Sequence, residues 1–131
     1  MKNVRYLRAD ILRWEPDKRY DLVFFGFWLS HVPESSFTAF WDLVRRAIGP
    51  KGRFFLIDEL EGEHARALET RVADGIVMRT LEDGRTFRAV KVYHRPAILQ
   101  RRLRKLGWDV EVRACGGDFY FARGSANRAG G

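Results

Sequence analysis

The amino-acid sequence predicts an α/β protein built on a mainly parallel sheet. Residues 20–29 and 53–57 form two nearly continuous apolar runs, which are typical of strands buried on both faces. Between them, apolar residues recur at helical spacing from Phe37 to Ile48. Because strand, helix and strand follow one another, we expect a βαβ unit whose two strands are parallel.

Turn and capping signals set the limits of this unit. Residues 16–18 (Pro-Asp-Lys) predict a turn before the first strand, and the serines at 35 and 36 are typical of a helix cap. The Gly-Pro-Lys-Gly sequence at 49–52 predicts the end of the helix. Before this unit, Val4 to Leu7 alternates with arginines and predicts a short strand.

The second half predicts different elements. A helix over 61–74 precedes a hairpin formed by 76–81 and 85–93, with Asp83-Gly84 at its turn. A basic helix then begins near Pro96 and ends at Gly107. Two closing strands, 108–114 and 118–122, are joined by only three residues and are therefore expected to be antiparallel.

These elements predict a single domain over residues 1–123, with the hairpin near 76–93 as an insertion and 124–131 as a flexible tail. The apolar runs are shorter than the roughly 18 residues of a membrane-spanning helix, so no membrane partner is expected. The single cysteine, Cys115, cannot form an internal disulfide, and a cytoplasmic location is the simplest expectation.

The net charge of +7 and the pI near 10.1 raise the alternative of a basic nucleic-acid-binding domain. The excess is divided between the halves of the chain, +3 over residues 1–58 and +4 over 59–131. The dense basic run, Arg101 to Lys105, lies on a predicted helix with leucines on its other face, so a solvated helix surface is favoured.

Three phrases of the sequence carry a resemblance to a known family. Residues 3–11, 20–33 and 49–53 resemble, in order and spacing, segments of class I S-adenosylmethionine-dependent methyltransferases. The resemblance covers roughly residues 3–123. It implies a partial Rossmann-like sheet, mainly parallel with a carboxyl-terminal antiparallel pair, whose first strands are missing. The family's glycine-rich loop and ribose-binding acid are expected before Asn3, and a truncated gene is the favoured explanation.

The resemblance also implies roles for individual residues. S-adenosylmethionine is the expected cofactor, with Asp10 and Ile11 on the side of its adenine. Phe27, Trp28 and Leu29 are expected to line its methionine part or the substrate. The alternatives are a solvated loop for Asp10 and ordinary core packing for the apolar residues.

Polar residues follow both central strands, where open α/β sheets bind ligands. His31 is a candidate base or substrate-positioning group, or else a residue that caps the next helix or bonds a backbone carbonyl. Asp58 and Glu59 are candidate substrate-binding groups, or else charges at a helix start. The methyl acceptor is unidentified, and a small molecule is favoured.

Two further expectations concern the whole chain. A catalytically inactive methyltransferase relic or interaction module is the main alternative to an enzyme. Without the first strands, the apolar strand at 20–28 is either covered by Val4–Leu7 or presents a free edge, which favours self-association.

Overall fold

The computed structural model describes residues 3–62 and 69–126. Its strands and helices follow in the order β1 (Tyr20–Gly26), α1 (Phe37–Ala47), β2 (Ile48–Glu59), β3 (Glu69–Ala73), β4 (Ile76–Thr80), β5 (Thr86–Val90), α2 (Pro96–Lys105), β6 (Trp108–Ala114) and β7 (Phe119–Ala126). Short 3₁₀ turns occupy Leu29–His31 and Glu34–Ser36, between β1 and α1.

The main sheet has four strands in the order β1-β2-β7-β6. β1 and β2 are parallel, with Val23 opposite Phe54 and Gly26 opposite Ile57. The pairs β2–β7 and β6–β7 are antiparallel. The predicted parallel centre and antiparallel extension are thus confirmed.

Both helices pack on one face of this sheet, where they form a single hydrophobic core with alternate strand residues. Phe40 and Trp41 of α1 are almost fully buried and make edge-to-face contacts with Phe25. Leu99 and Leu103 of α2 have no exposed surface. The predicted apolar face of the basic helix is therefore confirmed.

The other face of the main sheet is apolar and is covered by none of the described elements near β1. Leu22 and Phe24 are each 60% exposed. The ring of Phe24 stacks on Phe55 with centroids 6.0 Å apart, and Phe55 stacks on Phe121 at 5.9 Å. These side chains form an aromatic ridge that continues from the sheet edge into its centre.

A second sheet contains β3, β4 and β5, all antiparallel, and includes the predicted hairpin. Here one prediction is wrong, because residues 69–73 form a strand paired with β4 and not the end of a helix. Residues 63–68 of that predicted helix lie outside the described residues.

Three smaller predictions need correction. Residues 4–7 form no strand, because β1 pairs with β2 alone in the described sheet. Ser36 lies at the amino end of α1 without a side-chain capping bond, since a 3₁₀ turn already leads into the helix. The predicted tail begins too early, because β7 pairs with β6 as far as Ala126.

The Gly-Pro-Lys-Gly segment at 49–52 lies within β2, where it forms an irregularity between the pairs Tyr20–Ile48 and Leu22–Arg53, and it requires a glycine. A Cβ atom on Gly52 would lie 2.8 Å from the carbonyl oxygen of Tyr20, so a side chain there would collide with the backbone of β1. Gly52 is also buried. This close approach lets β2 remain paired with β1 on both sides of the irregularity, and the carboxyl ends of both strands come together.

Candidate functional site

The carboxyl ends of β1 and β2 form the base of the candidate site. After Gly26, the backbone N–H of Phe27 still donates to the carbonyl of Ile57, at 2.9 Å. Phe27 then has a φ angle of 57°. Within residues 3–62 and 69–126, every other residue with a positive φ is a glycine. A bulky residue in this conformation carries backbone strain, a feature that clusters at functional sites.

A buried carboxylate holds the turn that follows. Asp58 has no exposed surface, and its Oδ2 accepts the backbone N–H of Ser30 at 2.9 Å. Its Oδ1 accepts the backbone N–H of Glu59 at 2.8 Å. Asp58 therefore fixes the Leu29–His31 turn against the end of β2.

His31 ends this turn and is half-buried. Its Nδ1 atom lies 2.8 Å from the carbonyl oxygen of Val90, at the end of β5. A second contact joins two backbone groups: the N–H of Val92 donates to the carbonyl of Ser30 at 2.7 Å. The second sheet is thus joined to the turn that carries His31.

A charged network lies beside these contacts. The Nζ atom of Lys91 is 3.1 Å from Oε2 of Glu59, and the Lys91 side chain is only 3% exposed. The hydroxyl of Tyr93 donates to Glu69 at 2.5 Å, and Arg79 pairs with the same carboxylate at 2.7 Å. Burial and the Glu69 carboxylate raise the pKa of Tyr93, so its phenol remains a donor.

The predicted adenine-side residues lie apart in the loop before β1. Asp10 is exposed, and its Oδ1 accepts the backbone N–H of Leu12 at 3.1 Å. The Arg13 side chain lies 3.7 Å from Oδ2 of the same carboxylate. Ile11 is half-buried and packs against the hydrophobic core.

The three apolar residues predicted to line the cofactor differ in their exposure. Phe27 is 47% exposed and lies edge-to-face with Phe119. Trp28 is half-buried, and its Nε1 atom is buried without a hydrogen-bond partner. Leu29 has no exposed surface and belongs to the core, and its carbonyl accepts the backbone N–H of Val32 at 3.0 Å, so its position favours the core-packing alternative.

The structure therefore gathers five of the eight predicted site residues at one end of the sheet: Phe27, Trp28, His31, Asp58 and Glu59. Sequence reasoning allowed a backbone carbonyl as the partner of His31 but did not identify Val90, and it missed Lys91. Both lie more than 30 residues from their partners along the chain. A lysine within an otherwise apolar stretch, Val90 to Val92, was the one available signal.

Part of the basic run on α2 is engaged within the protein. Arg102 makes a two-pronged ion pair with Glu34, and Arg104 donates to the carbonyl of Val110. These two side chains are therefore less available to a nucleic acid. The described residues contain no group of acids, histidines and cysteines suited to a metal ion. Nor does any helix in 3–62 or 69–126 have the length and apolarity to cross a membrane.

The chain is similar to several solved structures. A scan against family models found no match, and neither did a search of curated proteins. The complex of DhpI with SAH is 37% identical, with a TM-score of 0.78 over 96% of this chain. The DhpI-SAM-HEP complex is 39% identical, with a TM-score of 0.81 over 95% of this chain. The chain spans 56–58% of the length of DhpI.

More distant structures show the same fold. The glycopeptide N-methyltransferase MtfA, in complex with S-adenosyl-L-methionine, is 20% identical with a TM-score of 0.61, over 90% of this chain and 58% of that one. An S-adenosylmethionine-dependent methyltransferase from Clostridium acetobutylicum is 9% identical with a TM-score of 0.67, over 91% and 63%. The resemblance in the sequence is thereby confirmed: the chain has the fold of class I S-adenosylmethionine-dependent methyltransferases.

Proposed function

We propose that this chain forms part of an enzyme that transfers a methyl group from S-adenosylmethionine to a small molecule. One observation carries the proposal. Aromatic, basic and acidic side chains meet at the carboxyl ends of β1 and β2, in a chain 37–39% identical to DhpI, whose structures hold SAH or SAM with HEP. Ligands of open α/β sheets bind at this end.

S-adenosylmethionine is the cofactor in this proposal, and it supplies a methyl group bonded to a positively charged sulfur. The residues present fit part of it. The unpartnered Trp28 Nε1 is a buried donor at the strand ends. Phe27 offers an exposed aromatic surface beside it. Asp10 retains acceptor capacity on Oδ2 for an adenine amino group, while its Oδ1 shapes the loop.

His31 and Glu59 are assigned to the acceptor side. A methyl acceptor must lose a proton when its hydroxyl or amine attacks, and an imidazole is suited to take it near neutral pH. Glu59 is partly exposed and offers a carboxylate to the acceptor. Asp58, with both oxygens occupied by backbone N–H groups, is assigned to positioning the turn.

Cofactor affinity is expected to be low in the chain by itself. In the described ranges, the adjacent glycines at 116 and 117 join antiparallel strands and do not lead from a strand into a helix. These glycines therefore do not supply the backbone N–H groups with which a glycine-rich loop binds the cofactor. Each such hydrogen bond contributes on the order of 1–3 kcal/mol, so several together change affinity by a few orders of magnitude.

An NMR titration with S-adenosylhomocysteine tests the assignment even when binding is weak. The chain has four tryptophans, whose indole N–H signals are resolved probes. We expect the Trp28 signal to move in a saturable way, while the signal of Trp108, buried under α1 and α2, stays in place. An Asp10→Asn variant keeps the acceptor for Leu12 and should bind more weakly.

The same titration distinguishes the alternatives. Purine riboside, which has a hydrogen atom in place of the adenine amino group, serves as the control ligand, and the parent chain and its Asp10→Asn variant should bind it equally. Saturable shifts confined to other parts of the chain would reject this placement of the cofactor. If Trp28 stayed unmoved at millimolar ligand, an inactive relic or interaction module would replace the enzyme as the explanation.

We also propose that the chain self-associates through β1. A two-fold axis at Val23 would place Leu22 of one copy opposite Phe24 of the second, on the face where both are exposed. The same pairing satisfies the backbone groups of an edge strand. Two copies of β1 can therefore match each other both in their exposed side chains and in their backbone hydrogen bonds.

A further inference from the structure

The segment that leaves β5 passes directly over the turn that carries His31. Two hydrogen bonds join it to that turn: His31 Nδ1 lies 2.8 Å from the carbonyl oxygen of Val90, and the N–H of Val92 donates to the carbonyl of Ser30 at 2.7 Å. We call residues 90–92 the strap. A backbone carbonyl has no proton to donate, so the strap can serve His31 only as an acceptor.

That restriction selects one form of the imidazole. Neutral histidine carries a single ring proton, and the partner of one nitrogen decides where it lies. With the Val90 carbonyl beside Nδ1, the proton is on Nδ1 and the lone pair is on Nε2. Nε2 is the nitrogen that must accept a proton if His31 is a base.

We infer that the strap is a positioning segment, which holds neutral His31 as the Nδ1–H tautomer and so leaves Nε2 free to accept the proton of the methyl acceptor. The inference deepens the proposed function and rests on it for the role of Nε2. The tautomer itself rests on the hydrogen bond alone. The second sheet thereby acts on the reacting centre through its backbone.

The structure also shows why the strap stays in place. Lys91, at its centre, has a side chain that is 3% exposed and ends 3.1 Å from Glu59 on the main sheet. A buried ammonium group away from its carboxylate is costly, which opposes movement of the strap. Asp58 holds the opposite side of the turn through Ser30. His31 is therefore fixed from two elements that are far apart in sequence.

Heteronuclear NMR of the chain labelled with ¹⁵N-histidine tests the inference. The chain has three histidines, and a His31→Asn variant assigns the signal. Above the titration range of imidazole, we expect a protonated-type shift at Nδ1 and an unprotonated-type shift at Nε2. The hydrogen bond should favour this tautomer by about fivefold or more. A dominant Nε2–H form would overturn the inference, and so would the ratio of the two tautomers that a free imidazole side chain shows.

A variant pair links the tautomer to the strap. Lys91→Met removes the ion pair with Glu59 and should shift the tautomer ratio of His31 toward that of a free imidazole side chain. Arg85→Met is the matched control, since it breaks an ion pair with Asp83 at the exposed turn of the same sheet. An unchanged His31 signal in Lys91→Met, in a chain that melts cooperatively, would remove Lys91 from the inference.

The two proposals fail in different ways. If His31 shows the expected tautomer while S-adenosylhomocysteine leaves Trp28 unmoved, the strap stands as a structural device and the methyltransferase proposal falls. If the cofactor analogue binds but His31 carries its proton on Nε2, the methyltransferase proposal stands and the positioning role of the strap falls.

Discussion

The carboxylate of Asp58 accepts the backbone N–H of Ser30 at 2.9 Å, across 28 residues of sequence. Asp58 lies at the end of β2, whereas Ser30 lies in the turn after β1. Because Asp58 has no exposed surface, this contact is shielded from water. It fixes the end of one parallel strand to the loop that follows its neighbour, and so determines where His31 lies.

The first prediction is that Asp58→Asn destabilises the fold by about 2 kcal/mol. An amide offers one acceptor oxygen in place of two, so one of the N–H groups of Ser30 and Glu59 loses its partner in a buried position. Urea unfolding measures the change. Asp42→Asn, at an exposed position on α1, is the control and should leave the unfolding free energy within about 0.5 kcal/mol.

The second prediction concerns the core. Phe40→Ala should cost about 3–5 kcal/mol, because Phe40 is 3% exposed and lies with its ring 5.3 Å from that of Phe25. Phe24→Ala is its counterpart on the opposite face, where the ring is mostly in solvent. The unfolding free energy of the Phe24 variant should change by less than half as much. Equal losses in the two variants would contradict the assignment of the covered face.

The elements predicted well are those whose neighbours lie close in sequence. β1, α1 and β2 follow from apolar periodicity and turn residues alone. Residues 69–73 were predicted as helix because Val72 matched a helical spacing with earlier apolar residues. In the structure Val72 is 45% exposed, and pairing with β4 determines the conformation. Val4 to Leu7 alternates like a strand but has no strand to pair with.

The site was predictable in position but not in its hydrogen bonds. Polar residues after two buried strands indicated the correct end of the sheet for His31, Asp58 and Glu59. The sequence does not show whether an acid is exposed or accepts hydrogen bonds from the backbone. For Asp58 this depends on where the backbone of Ser30, 28 residues earlier, is placed by the fold. The Val90 carbonyl leaves no trace in a sequence, since every residue has one.

The third prediction concerns pH. Burial lowers the pKa of His94 below its ordinary value of 6.5, because the ring packs against Phe37 and its Nε2 has no partner. The unfolded chain therefore binds this proton more readily than the folded chain, so stability should fall as the pH drops below about 6.5. Unfolding in urea at pH 7.5 and 5.5 measures the loss.

Two features isolate this effect. Arg102 lowers the pKa of Glu34 below its ordinary value of 4.5, so the contribution of that ion pair is retained until the pH falls further. His94→Gln has no ionisable ring, and its stability should change less between pH 7.5 and 5.5 than that of the parent chain. An identical pH dependence in both proteins would assign the effect to other groups.

The fourth prediction concerns the edge of the main sheet. If copies pair through β1, Leu22→Lys should shift the chain toward the monomer, because a two-fold pairing would place the new charge against Phe24 of the second copy. Analytical ultracentrifugation over a concentration series measures the shift. We expect dissociation to require at least tenfold higher dilution for the parent chain than for the variant.

Val72→Lys provides the matched control for this experiment. Val72 is 45% exposed on β3, an edge strand of the second sheet, so the substitution adds the same charge to a comparable surface. It should leave association through β1 unchanged, whereas a general effect of net charge would dissociate both variants alike. A parent chain that sediments as a monomer at all concentrations would show that the aromatic ridge and the free edge of β1 do not recruit a second copy.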